Sequence, residues 1–213
     1  MNIYYLGHSS FLIKTKNGKR ILTDPFKINS SLENIDIITI SHAHFDHSDT
    51  ENLPIDSKIL NFASDFENNF CKIKTFNSYH DNSLGLKRGP NLIFHFIIEN
   101  ISLCHLGDLG HMLDISILKE LKNIDILFIP VGENYTLNLK ILHRIIETIR
   151  PKFIIPMHYR TSDTDFSLNS LDKFLLIFKN YQKEKLDTFL IPENYLKDIK
   201  TKIIILDKTK IEV

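Results

Sequence analysis

The segment Ser41-His42-Ala43-His44-Phe45-Asp46-His47-Ser48-Asp49 puts three imidazoles and a carboxylate into six positions. Imidazole nitrogens and carboxylate oxygens are the usual donors for zinc and similar divalent ions. In a turn-rich loop alternate side chains can converge on one point, so His42 and His44 could serve one ion and Asp46 and His47 a second close by. The plain alternative is a solvated polar loop, which would have no reason to repeat His-x-His-x-Asp-His. The segment follows the apolar run Ile35-Asp36-Ile37-Ile38-Thr39-Ile40, so it lies in the loop beyond a buried strand. Such loops are where α/β proteins carry their chemistry.

Four ligands do not fill two sites, and the other histidines and aspartates can be screened for the same setting. His80 follows an expected strand at 71–76, Asp108 one at 101–106, and His158 one at 153–155. Each has a dull reading alone, because a strand-end histidine is more often hydrogen-bonded than metal-bound and Gly-Asp is a common turn. Together they form a set at equivalent strand ends.

The elements that must position these residues read as follows. Apolar alternation predicts strands near 3–6, 10–15, 20–23, 35–40, 58–62, 71–76, 92–98, 101–106, 124–129, 153–155 and 202–206. Asn17-Gly18 suits a tight hairpin turn between the second and third. Helical periodicity is clearest over 139–149, with further helices expected at 113–121 and 168–181. Strands dominate the N-terminal half and strand–helix alternation the C-terminal half, which predicts packed sheets with helices outside.

Composition bounds the rest. The chain has 213 residues, 43% apolar and 24% charged, which suits one domain over 1–213. Twenty-six basic residues balance 26 acidic ones, leaving no electrostatic footprint for nucleic acid or an anionic membrane. The two cysteines imply no disulfide framework and point to a reducing, cytoplasmic setting. The sequence shows neither a signal peptide nor an apolar run long enough to span a bilayer. A homo-oligomer is compatible with it.

On His42-Ala43-His44-Phe45-Asp46-His47, His80, Gly107-Asp108 and Pro156-Met157-His158-Tyr159, in that order, the chain resembles the metallo-β-lactamase superfamily. Leu6-Gly7-His8-Ser9-Ser10 and Thr23-Asp24-Pro25 extend the likeness to the N-terminus. It is most similar to a small bacterial branch that includes ascorbate-6-phosphate lactonase-like proteins. The resemblance implies an α/β fold, a four-layer αββα sandwich with a two-metal site at one edge. It assigns His42, His44 and His80 to one metal, Asp46, His47 and His158 to the other, and Asp108 as the bridge. It implies two divalent ions, zinc first, with manganese or iron also suited. A hydroxide shared by the two ions would then cleave an ester-like bond (lactone, phosphodiester, thioester or amide) in a small anionic molecule. In this scheme Asp46 and Asp108 are the catalytic carboxylates, Asp46 orienting the nucleophile or relaying its proton.

Gly132-Glu133-Asn134-Tyr135-Thr136-Leu137-Asn138 departs from the family's pattern at Glu133 and Asn138. The chain also lacks room for the inserted domain of the nucleic-acid-processing branches. A di-iron oxidoreductase component would need a flavin partner or domain that 213 residues do not hold. A non-catalytic metal-binding protein fits poorly with a complete ligand set.

Around the ligands, His8 and Asp24 are read as supports for a ligand imidazole or as turn residues. His111 is read as a substrate contact or a surface residue, and Tyr135 as a pocket wall. Lys87, Arg88 and Arg160 are loop cations that could hold a phosphate or carboxylate, or simply be solvated, as loop cations more often are. His105 is expected to be strand-buried and structural, and His95 a non-ligand facing away from Phe94 and Phe96.

Overall fold

The computed structural model describes residues 1–28, 32–162, 164, 167–191 and 200–209. The chain begins with β1 (Asn2–Gly7), β2 (Ser10–Lys14), β3 (Arg20–Thr23), β4 (Ile37–Thr39) and β5 (Lys58–Leu60). With β13 (Phe189–Leu190) they form a six-stranded sheet in the order β13-β1-β2-β3-β4-β5. The Asn17-Gly18 turn closes β2 onto β3, with Gly18 in the left-handed region at φ 79°. These strands are apolar on both faces. Ile3, Tyr5, Phe11, Ile13, Ile21 and Ile37 face the main core, while Leu6, Leu12, Leu22 and Ile38 face a smaller cluster with Ile28, Leu32, Ile35 and Leu53. That period-2 division is why the strands read as near-continuous hydrophobic runs.

The second sheet contains β6 (Phe66–Glu67), β7 (Cys71–Tyr79), β8 (Pro90–Ile98), β9 (Ile101–His105), β10 (Ile126–Pro130), β11 (Phe153–Met157), β12 (Gln182–Leu186) and β14 (Lys202–Leu206). Its order is β12-β14-β11-β10-β9-β8-β7-β6, antiparallel from β6 to β9 and parallel from β9 onward. Helix α1 (Ile115–Glu120) links β9 to β10, and α2 (Leu139–Ile149) links β10 to β11, as parallel neighbours require. Helix α2 buries Leu142, Ile145, Ile146 and Ile149, one face of the 3.6-residue period, together with Leu139. Asn138 caps it, its side-chain oxygen accepting from the amides of Lys140 (3.1 Å) and Ile141 (3.0 Å).

The two-residue strands β6 and β13 had no counterpart among the expected strands, and other elements also differ from expectation. The expected helix at 168–181 is α3 (Leu171–Ile177), a single buried anchor, Phe174, fixing so short a segment. Strand β12, Gln-Lys-Glu-Lys-Leu, has no apolar alternation and forms because β14 offers it a ladder partner. All described helices follow β9, so the outer face of the first sheet is covered by irregular chain carrying Ile28, Leu32 and Ile35.

Topology sets the place of chemistry. Strands β1, β3 and β4 run the same way, since β2 is antiparallel to its neighbours and β3 is parallel to β4. Strands β7, β9, β10 and β11 likewise share a direction. The C-terminal ends of each set therefore open on one edge of its sheet, and the residue immediately beyond β1, β3, β7 and β11 is His8, Asp24, His80 and His158.

Candidate metal centre

Three of those chain reversals are sharp. His8, Asp24 and His158 have φ of 55°, 39° and 52°, in the left-handed region that non-glycine residues rarely occupy. Each such residue costs on the order of 1 kcal/mol or more and persists only where surrounding contacts impose it. Those contacts tie the sheets together: the His158 amide donates to the His8 carbonyl at 2.9 Å, and the Tyr5 hydroxyl donates to the same carbonyl at 3.1 Å.

The two edges meet at Asp108. Its Oδ2 lies 2.9 Å from Nε2 of His158, 3.1 Å from Nε2 of His80 and 3.4 Å from Nε2 of His47. Ligand atoms of His42, His44 and His80 lie within 4.8 Å of one another, as do those of His8, Asp46, His47 and His158. All seven sequence-predicted ligands are thus brought to one place, in two groups with Asp108 between them. His8, expected as a support, stands close enough to be grouped with the second set, and its Nε2 contacts Asp46 Oδ2 at 3.1 Å.

The donor chemistry suits cations. Asp24 is fully buried and accepts from the Ser41 amide (2.7 Å), the Ser41 hydroxyl (2.6 Å) and His47 Nδ1 (2.7 Å). The Ser41 hydroxyl has one proton, given to Asp24, so its oxygen accepts from His42 Nδ1 at 2.9 Å. Both imidazoles therefore turn Nε2 inward, that of His42 with no hydrogen-bond partner among the described residues and that of His47 toward Asp108 Oδ2. A third group with metal-holding geometry is Asp24, His42 and His47, but the Asp24 oxygens are already committed to these bonds.

Burial acts first on every ionisable group here. It pulls His42 down to about 3, assisted by the charge of His47, and pulls His8 down to about 4 against the opposing bond to Asp46. Both are neutral at physiological pH, the form that ligates a metal. For His47, burial is overcome by Asp108 and Asp24 on either side, which raise it well above the ordinary value. Burial would raise Asp108, but His158 and His47 hold it well below the carboxylate range. Asp46 ends at about 2, burial being outweighed by the His8 bond and the His47 charge.

Asn91 and Asp81 do work that the sequence reading did not assign to them, whereas His105 is strand-buried and structural as expected. Asn91, buried in β8, accepts from the Asp108 amide at 2.9 Å and donates to the Leu106 carbonyl at 3.0 Å and the Ser78 hydroxyl at 2.7 Å. Asp81 accepts from the amides of Ser83, Gly85, Lys87 and Arg88 and so ties the loop after His80. His105 reaches the Ser9 carbonyl through Nε2 (3.0 Å) and accepts from the Gly107 amide through Nδ1 (3.2 Å), a buried structural link between the sheets. Asp81 had a local signal in its Asp-x-Ser-x-Gly turn chemistry, and Asn91 had none.

Two residues that the sequence left with alternatives lie outside the walls of the central cavity. His111 has Nε2 accepting from the Tyr79 amide (3.0 Å) and Nδ1 donating to the Met112 carbonyl (2.8 Å), which uses both ring nitrogens. Arg160 has its amide on the Asn169 carbonyl and its side chain exposed, outside the cavity at the centre. That cavity, about 320 Å³, is walled by His44, Phe45, Asp46, His80, Arg88, Asp108, Tyr135 and His158. The departures at Glu133 and Asn138 also have structural causes. Asn138 caps α2, and Glu133 accepts from the Leu139 amide and Asn169 side chain while pairing with Lys173.

Comparison with known proteins identifies the family. Residues 2–158 match the model of the beta-lactamase superfamily domain. A UPF0173 metal-dependent hydrolase of Carboxydothermus hydrogenoformans is 31% identical over 196 residues, covering 76% of this chain and 85% of that one. A crystal structure from Thermotoga maritima, assigned as a Zn-dependent hydrolase of the metallo-β-lactamase superfamily, aligns at a TM-score of 0.76 and 30% identity, covering 97% of this chain and 99% of that one. An isothiocyanate hydrolase from Delia radicum gut bacteria, 14% identical, shares the fold at a TM-score of 0.69 over 99% of this chain and 98% of its own. With its His- and Asp-bearing strand ends inside the matched region, the chain belongs to the metallo-β-lactamase superfamily, among relatives named as metal-dependent hydrolases.

Proposed function

We propose that this chain holds two divalent cations, zinc in the first instance, and hydrolyses an ester-like bond (lactone, phosphodiester, thioester or amide) in a small molecule. The observation that carries the reading is the position of Asp108 Oδ2, within 3.4 Å of imidazoles from both ligand groups. One carboxylate facing two clusters is what a shared site requires. His42, His44 and His80 would hold one cation, Asp46, His47 and His158 the other, with Asp108 common to both. A bound pair of such ions supplies a water that ionises near neutral pH and positive charge for the substrate's developing oxyanion.

The chain's own groups divide the remaining work. Asp24 and Ser41 hold His47 and His42 in the tautomer that presents Nε2. Asp46, with its pKa near 2 and one oxygen on His8, is an acceptor at neutral pH and suits orientation of an attacking water's O–H. Tyr135 and Phe45 wall the cavity.

The test is elemental analysis of protein purified without chelator, followed by turnover of a lactone, phosphodiester, thioester and amide panel with and without chelator. About two equivalents of metal and chelator-sensitive turnover are expected. His42→Ala and Asp108→Ala should each lose metal and lower turnover by at least about a hundredfold, with the circular dichroism spectrum retained. Full metal content and activity in either variant would overturn the assignment.

A further inference from the structure

Arg88 is the cation that the fold delivers to this cavity. Asp81 accepts from the amides of Lys87 (3.0 Å) and Arg88 (2.8 Å) with one carboxylate oxygen, and from Ser83 (2.6 Å) and Gly85 (3.0 Å) with the other. Gly85, at φ 80°, is then closed against Gly89, whose amide donates to its carbonyl at 2.9 Å. The His80 amide donates to the Gly89 carbonyl at 3.1 Å, so the loop that carries Arg88 starts and ends beside a ligand imidazole.

The guanidinium carbon stands 4.4 Å from the centre of the Tyr135 ring, a stacking contact that fixes the plane of the fork without consuming its N–H groups. It has no ion pair among the described residues. The carboxylates sharing the cavity are turned to imidazoles, Asp46 to His8 and Asp108 to His80 and His158. An exposed arginine is ordinarily just hydrated. One that is loop-pinned, ring-backed, unpaired and placed in the wall of a metal-type cavity is arranged for an anion.

We infer that Arg88, backed by Tyr135, is the specificity-determining residue for an oxyanion group, a carboxylate or phosphoryl, carried by the substrate away from the bond that is cut. The inference rests on the hydrolase reading for the identity of the bond, but not for the anion itself. Planar five-donor geometry matches carboxylate and phosphoryl oxygens in pairs, which a lysine cannot reproduce.

The test is calorimetric titration of the zinc-loaded protein with glutarate, 3-phosphonopropionate and pentanoate. The first two carry a second anion and the third does not. Wild type should bind one of the dianionic probes about tenfold or more tighter than pentanoate, the worth of a charge-assisted hydrogen bond. Arg88→Gln should erase that preference, Arg88→Lys keep part of it, and Tyr135→Leu weaken it, all at wild-type zinc content. A preference for glutarate identifies a carboxylate, and one for the phosphonate a phosphoryl group. No preference in wild type, or the same preference in Arg88→Gln, would overturn the inference. A companion assay compares kcat/KM for an anionic ester and its neutral analogue, and the ratio should fall in Arg88→Gln. If nothing in the lactone, phosphodiester, thioester and amide panel is turned over, the hydrolase reading fails while the titration still decides the role of Arg88.

Discussion

His42 and His47 owe their readiness for a cation to what holds their other nitrogens. Ser41 takes the Nδ1 proton of His42, and Asp24 takes that of His47. Because Ser41 in turn donates to Asp24, one buried carboxylate sets both imidazoles. Asp24→Asn keeps size and shape but replaces a charged acceptor with an amide that must also find acceptors for its own N–H groups. Such supports typically affect metal affinity by about 10–100-fold, and that loss is expected here with the secondary structure intact. Competition against a chromogenic chelator measures it, and an unchanged affinity would mean that Asp24 only closes a turn.

At the scale of elements, the centre depends on strands that stop abruptly and loops that leave in one allowed direction. Gly107 shows the constraint: at φ 55°, a Cβ there would fall 2.3 Å from Asn91 Oδ1 and 2.7 Å from Ser41 Cβ. Both neighbours serve the site, Asn91 through the Asp108 amide and Ser41 through Asp24 and His42. Gly107→Ala should therefore displace Asp108 and reduce metal retention under dialysis more than Gly18→Ala, whose Cβ meets nothing within 4 Å. Helix α2 offers a contrasting case. Asn138→Ala removes its N-cap at a cost of about 1 kcal/mol, a fall of about 2–4 °C in the thermal midpoint for a chain of this size. Calorimetry would show it, and no shift would mean that Glu133, on the Leu139 amide, caps the helix alone.

The whole molecule carries the titration. His8, His42, His95 and His105 are held below their ordinary value of 6.5, burial being the first cause in each. A histidine depressed in the fold is protonated first in the unfolded chain, so stability falls as pH drops below 6.5 toward about 3–4. Asp24, Asp46 and Asp108 are also depressed, so what they contribute is complete above 3.8 and lost as pH falls further. His47 works the other way: raised in the fold, it contributes fully below 6.5 and loses that contribution as pH climbs through its folded value. Several groups oppose one. Chelated protein should melt progressively lower from pH 6.5 to pH 4, and a flat melting profile across that range would contradict the burial argument. Metal-loaded protein should show a steeper fall, because protons compete for the same imidazoles.

The sequence by itself determined the candidate ligand types, the order in which they come and the strands that precede them. The 41–49 loop needed nothing beyond local spacing after an apolar run, and His80, Asp108 and His158 needed only their positions at strand ends. Local spacing and hydrophobic period are properties of neighbours along the chain, and they survive in one dimension. Tertiary structure alone decided which cations, carbonyls and hydroxyls serve the centre. Asn91 reaches the Asp108 amide from 17 residues away, Asp24 meets His47 across 23, and His105 joins Ser9 across 96. It also separated Arg88 from Arg160, two loop arginines after ligand histidines that no pattern distinguishes. Asp81 and Tyr135 turn the first into the cavity, and the Asn169 contact leaves the second outside it. Contacts between distant segments depend on how two sheets pack at one edge, and nothing in the spacing of residues encodes that packing directly.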